Sequence, residues 1–428
     1  MVVDQKSREF GWSGASQITQ RAQIMWIAWS TWAVRAWGMF LLAAVLFPVP
    51  VAAGLRNGQR QVAALAEPPA LVLGYVLDEE SLTITLHRHE KRTRPGRPTR
   101  LTELRRIEIP GGRRVLASLV AGFHRMVAQR DPAYPQLGRV LFDTLIKPVA
   151  EDLGGCRLLC LIPDNILWDV PFQALVAPDG RHLLELFPLY YAPSLAQFAD
   201  LSTIRNGRAG PGSLLSIGNP EPGESMLARL RRIDRQSRFA PLPEAELEAR
   251  IVSRLHGMHL SQVLIGREAT EGAVKRLAPG RHILHFATHG VLDDRNPLRS
   301  YLLLADSESE PAEDGLLEAR EIMELDLQAE LAILSACETA RGWIGGGQGL
   351  IGLSGAFLRA GCRTVVVTQW KVDSRRTAEL VVNFYQWLKS GPTGKAEALT
   401  RAAREMMRHP PTRHPHFWAA MIIVGTNQ

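Results

Sequence analysis

From Cys156 onward the chain alternates between short apolar runs and amphipathic stretches, and no other feature limits its folding options as strongly. Cys156–Pro163, Leu214–Asn219, His282–Ala287, Leu331–Ser335, Thr364–Thr368 and Ala419–Val424 read as strands. Between them, Glu244–Leu255, Thr270–Ala278, Leu350–Ala360, Thr377–Lys389 and Lys395–Met407 carry helical periodicity. Thr270 is suited to cap the second of these, and Gly361 and Gly391 to close the third and fourth. Successive parallel strands need a crossover, and a right-handed helical one satisfies both chain direction and burial. The expected fold class is therefore α/β: a mostly parallel sheet with helices on both faces. No repeat of fixed period is visible.

The chain before Cys156 has a different texture. Leu71–Leu77, the turn residues Asp78–Ser81 and the alternating Leu82–Leu86 predict a β-hairpin. The tract from His87 to Arg100 is rich in Lys, Arg and Pro but has no interleaved aromatic residues, so it reads as a solvated loop. The formal charge of +7 is spread through the chain, and no nucleic-acid partner is expected. Val115–Ala128 and Leu137–Leu153 follow as helices. At the N-terminus, Arg35, the apolar block Met39–Phe47 and the small residues Val51 and Ala53 form a signal-peptide pattern. The stretch also exceeds the ~20 apolar residues needed to span a bilayer, although Arg35 would cost roughly 2.5–3.5 kcal/mol there. Residues 1–53 are thus expected to be a signal peptide or membrane anchor, giving export or membrane association through the N-terminus. Residues 54–133 form a β-hairpin and helical region, and residues 134–428 form the main domain.

Four cysteines in 428 residues do not make a disulfide scaffold. Cys156 and Cys160 lie in an apolar run with no partner pair to complete a zinc set, so both read as core. Cys337 differs. It follows the strand Leu331–Ser335, while His289 and Gly290 follow the strand His282–Ala287. In an open parallel sheet, reactive groups collect beyond the carboxyl ends of strands. If these two strands are neighbours, a thiol and an imidazole meet at one edge, the pairing that nucleophilic catalysis needs. The backbone N–H groups of Gly290 and Cys337 are suited to hold a developing oxyanion.

These segments resemble the CHAT domain, a peptidase-like family related to caspases, separases and gingipains. Ile162–Phe172, Tyr191–Ser194, Ile217–Pro220 and Leu242–Glu246 resemble its opening half. His285–Gly290, Leu334–Ala340, Gly347–Gly349, Gln369–Asp373 and Trp418–Ala419 resemble its second half, so the likeness runs from about Tyr134 to Gly425. The resemblance implies a caspase-like sandwich and a cysteine endopeptidase with a Cys–His dyad, His289 as acid/base and Cys337 as nucleophile, acting on a protein or peptide substrate. It also implies regulation by a protein partner or by loop rearrangement, and needs no cofactor or metal. His285 reads as a supporting core residue. Gln348 stands where the family usually has Glu, and Ser374 where a second Asp is common. The pocket for the side chain before the scissile bond is expected near Trp370 and Asp373, with Glu338 beside the nucleophile, favouring a basic or large apolar residue. The segment Asp306–Gly315 reads as a solvated connection, with a switch as the alternative.

Two other chemistries fit parts of the sequence less well. Gly347-Gln-Gly349-Leu-Ile-Gly352 fits the dinucleotide fingerprint but does not follow its strand directly, as that motif requires. His285 and His289 have the i, i+4 spacing of a zinc helix, yet Ile283, Phe286 and Thr288 favour a strand. A third alternative is a non-catalytic interaction scaffold that keeps the fold. For the N-terminal reading, Edman sequencing of native material is expected to give a mature chain starting at Gly54. An intact Met1 in the soluble fraction would defeat export.

Overall fold

The computed structural model describes residues 70–90, 100–203, 212–233, 239–293, 296–307, 309–335, 352–391 and 393–427. The signal or anchor segment, Cys337, Glu338 and Gly347–Leu350 lie outside the described residues. No helix among the described residues is long and apolar enough to cross a membrane.

The chain opens with β1 (Ala70–Leu77) and β2 (Ser81–Glu90), the expected antiparallel hairpin, followed by β3 (Arg100–Pro110), which pairs antiparallel with β2. The expected loop from His87 is corrected here. β2 runs on through Glu90, His87 is buried, and the chain returns as a full edge strand at Arg100. The charged residues of β3 are tolerated because an edge strand leaves one side to solvent, and charge there also discourages pairing with other chains.

Helices α1 (Gly112–Ala128) and α2 (Tyr134–Leu145) follow, then a 3₁₀ stretch at Lys147–Leu153 that begins at the helix-breaking Pro148. The main alternation comes next: β4 (Leu158–Ile162), β5 (Leu189–Tyr191), α3 (Leu195–Thr203), β6 (Leu214–Pro220), α4 (Glu224–Ile233), α5 (Pro243–His256), β7 (Ser261–Gly266), α6 (Glu271–Leu277) and β8 (Ile283–Ala287). Three short strands, β9 (Gly290–Val291), β10 (Tyr301–Leu303) and β11 (Leu316–Glu318), form a separate small sheet. The chain then re-enters the main sheet through β12 (Leu331–Leu334), α7 (Leu353–Arg359), β13 (Thr364–Thr368), α8 (Ser374–Lys389), α9 (Lys395–Arg408) and β14 (Met421–Gly425).

Among the described residues the main sheet has eleven strands in the order β3-β2-β1-β4-β5-β14-β13-β12-β8-β6-β7. It is parallel except at the hairpin region and between β13 and β14, so it bears out the α/β class. Adjacent residues of β8 show that both faces are covered. His285 points to one face, where Tyr385 of α8 meets it edge-on at 5.9 Å, while Phe286 points to the other, against Phe357 of α7 at 5.5 Å. Strands buried on both faces carry continuous apolar runs rather than alternation, which explains Leu331–Leu334 and Val365–Val367, all 1% exposed or less.

Helix α7 ends as its glycine predicted. Gly361 has φ 109°, its N–H donates to Leu358 O at 3.2 Å, and the Cys362 N–H reaches back to Phe357 O at 2.9 Å. A Cβ at Gly361 would lie 2.0 Å from Leu327 O. Gly361→Ala is therefore expected to destabilise the fold by more than ~1 kcal/mol, read as a lower urea midpoint at unchanged slope.

Candidate active site

β8 and β12 are parallel neighbours, with Leu331 beside Ile283 and Leu334 beside Phe286. The two strands therefore release their chains at one edge of the sheet. Just past that edge the Ser335 N–H donates to Phe286 O at 2.8 Å, which joins the exits directly. Cys337 is two residues beyond Ser335 in sequence. β13 lies on the other side of β12 and brings Trp370–Asp373 to the same edge.

His289 lies three residues past Phe286 and is half-buried. Its Nε2 is 2.8 Å from the carbonyl oxygen of Ala240. A carbonyl only accepts, so Nε2 carries the proton and Nδ1 remains the basic nitrogen. Phe239 packs edge-on against the ring at 5.5 Å. Burial holds the imidazole pKa below its ordinary value; the Ala240 contact opposes this and the positive charge of Lys371 reinforces it. The neutral ring is thus the form favoured at neutral pH, as a base requires.

The backbone around His289 is held from its other side. Leu303 N–H donates to His289 O at 2.9 Å, and the buried Thr288 hydroxyl donates to Leu303 O at 2.6 Å. Gly290 opens β9 opposite Leu302, so the small sheet is fastened to the histidine by main-chain bonds. The segment Asp306–Gly315 is not merely a solvated connection. Gly315 N–H donates to Glu271 at 2.8 Å, Lys275 reaches Glu313 at 2.5 Å, Arg229 pairs with Asp314 at 3.1 Å, and Arg276 pairs with Glu310. Glu271, Glu313 and Glu321 converge closely enough to suit a cation, and the Lys275 ammonium lies 2.7, 2.5 and 3.2 Å from them. Burial pushes the Glu271 carboxyl up to about 7, with Lys275 pulling against it.

The expected pocket residues part company. Trp370 is 2% exposed, its indole N–H donates to His416 O at 3.0 Å, and His124 meets the ring edge-on at 5.7 Å. It supports the rim from beneath and has almost no surface to wall a substrate side chain, which corrects that expectation. Asp373 is exposed and caps α8, accepting from Arg376 N–H at 3.3 Å. It borders an open cavity of about 480 Å³ together with Gln129, Arg130, Lys371 and His416. The lining of this cavity thus carries two cationic side chains and one carboxylate. Glu338 lies outside the described residues.

His285, as expected, is fully buried in β8. Of the other described cysteines, Cys160 and Cys362 are buried, and burial pushes the Cys362 thiol up to about 12 and the Cys160 thiol higher still. Neither is a thiolate near neutral pH. The Ala240 carbonyl has no signature in the sequence, because every residue carries such an acceptor, and Lys371 lies within the Gln369–Asp373 stretch without a pattern of its own. The nearby Leu242–Glu246 stretch was the one available pointer to the segment holding Ala240.

A family model described as "CHAT domain" matches residues 135–426. Tetratricopeptide repeat protein 28 of Mus musculus is 27% identical over 348 residues, covering 70% of this chain and 14% of that protein. The chain thus spans well under a quarter of the length of this curated relative. The solved Saccharomyces cerevisiae separase–securin complex aligns with 63% of this chain and 15% of its own at 14% identity, with a TM-score of 0.41. The Arg specific cysteine proteinase gingipain R aligns with 74% of this chain and 75% of its own at 10% identity, with a TM-score of 0.44.

His416, 4% exposed at the cavity wall, has its pKa pushed down to about 4, first by burial and then by Arg130. The unfolded imidazole takes its proton near pH ~6.5, so the unfolded state binds more protons below that value. The stabilisation is complete above pH ~6.5 and is lost as pH falls towards 4. Urea titrations across this window are expected to fall more steeply for the wild type than for His416→Phe.

Proposed function

Because the chain belongs to the CHAT domain family, we propose that it is a cysteine endopeptidase, with Cys337 as nucleophile and His289 as acid/base. The observation that carries this reading is the state of His289. Its Nε2 is held by Ala240, which leaves Nδ1 as the basic nitrogen, and burial lowers its pKa, at the edge of the sheet where β8 and β12 both end.

In the proposed reaction Nδ1 takes the thiol proton as sulfur attacks the substrate carbonyl carbon. The N–H groups of Gly290 and Cys337 would receive the oxyanion. The imidazolium returns its proton to the amine as the C–N bond breaks, leaving a thioester. Water, deprotonated by the same nitrogen, then releases the acid and regenerates the thiol. Substrate is a protein or peptide, and the side chain before the scissile bond would meet the rim formed by Lys371 and Asp373. Regulation through a protein partner or loop rearrangement fits the ion-paired Asp306–Gly315 segment, which joins β10 to β11 in the small sheet beside His289.

Cys337→Ala and His289→Ala are each expected to lower cleavage of a peptide library by about 10²-fold or more, and Cys337→Ala to abolish labelling by a thiol-directed peptidyl probe. Chelators should leave turnover unchanged. Labelling that persists in Cys337→Ala would sink the assignment, and partner capture without cleavage by the wild type would favour an interaction scaffold.

A further inference from the structure

We propose that Glu248 is a positioning residue that bridges the two strands leading to the dyad, facing the middle of β8 and the exit of β12, an inference that rests on the peptidase reading above. Glu248 lies in α5 and is 2% exposed. The Ser335 hydroxyl donates to its Oε2 at 3.1 Å. Its Oε1 lies 3.2 Å from Nε2 of the fully buried His285, at an angle too oblique for a directed hydrogen bond. Each carboxylate oxygen therefore faces a different strand. His285 is four residues before His289 on β8, and Ser335 is the residue immediately after β12, two before Cys337.

The surroundings argue against an incidental contact. The turn carrying Glu248 is also fastened to the sheet by the buried Ser216 hydroxyl, which donates to Ala249 O at 3.2 Å. Tyr385 meets His285 edge-on, and its own buried hydroxyl lacks a hydrogen-bond partner among the described residues. Burying a carboxylate, an imidazole and a phenol with incomplete hydrogen bonding lowers stability relative to well-packed apolar residues. Their value to the protein is therefore geometric. Ala240, which orients His289, precedes the same helix by only three residues. One segment, Ala240–Glu248, thus holds the histidine ring through its carbonyl, lies against the histidine's strand at His285, and holds the exit of β12 through Ser335. A displacement of α5 would move all three together, and misplacement by about 1 Å can cost about 10²-fold in rate.

The test uses the full chain, with turnover counted per site titrated by a thiol-directed peptidyl probe. Ser335→Ala is expected to lower kcat about 10-fold to 100-fold with KM within about twofold, while Ser335→Thr, which keeps the hydroxyl, retains most of the wild-type kcat. Glu248→Gln should lose a similar factor, and the double variant Glu248→Gln/Ser335→Ala should lose no more than the worse single one. A purely structural role would instead reduce the titratable fraction and the melting temperature and leave turnover per site unchanged. Equal kcat for Ser335→Ala and Ser335→Thr would overturn the proposal, as would losses that multiply in the double variant. The Ser335 pair decides the matter if Glu248→Gln fails to fold. Normal turnover in both single variants alongside an inactive Cys337→Ala would remove this inference alone. Activity that survives in Cys337→Ala, or is missing from the wild type, would remove the peptidase reading and this inference together.

Discussion

The parallel pairing of β8 with β12 is the constraint on which the rest of the molecule depends. Both strands lie inside the sheet, β8 against β6 and β12 against β13, and each is buried on both faces. A parallel interior pair sends both chains out at the same edge, so whatever follows the two strands is brought together by backbone geometry. The register is equally demanding. A slip of one residue in β8 would turn His285 towards Phe357 and Phe286 towards Glu248, burying a carboxylate against an aromatic ring. The bond from Ser335 N–H to Phe286 O continues that register past the end of the strands.

Around this apolar pair the protein keeps a small number of expensive polar groups, each assigned to a boundary. Ala240 O meets His289, Thr288 meets Leu303, and Glu248 meets Ser335. All three contacts join the sheet edge to elements distant in sequence. Farther out, Lys275 draws Glu271, Glu313 and Glu321 together, and the Glu271 side chain takes the Gly315 N–H, so the connection from β10 to β11 is tied down by charge as well as by a hydrogen bond. Glu271 is almost fully buried, so loss of Lys275 would leave its carboxyl beside Glu313 and Glu321 without a counter-ion.

Legibility followed the length and periodicity of each element. The apolar strands and the capped helices could be read because burial on both faces demands continuous apolar residues and because Thr270 and Gly361 carry local chemistry. β3 escaped because Arg105, Arg106 and Glu108 suit an edge strand as well as a loop, and only pairing with β2 distinguishes them. β5 and the three strands of the small sheet are too short to show a period. Trp370 was misread for a related reason. An indole after a strand can wall a pocket or fill the core, and the deciding neighbours, His124 and His416, come from α1 and from the turn before β14.

The amino-acid sequence by itself determined the alternation, and with it the class of sheet and the residue types waiting at two strand ends. Those properties are local or periodic, so they survive without a partner in space. Only the tertiary structure decided that β8 and β12 are adjacent, that His289 offers Nδ1 rather than Nε2, and that Arg130 and Lys371 line the same cavity as Asp373. Strand order, the choice of tautomer and the field around a carboxylate all depend on groups far apart in the chain, and their sequence positions carry no trace of the distance between them once folded.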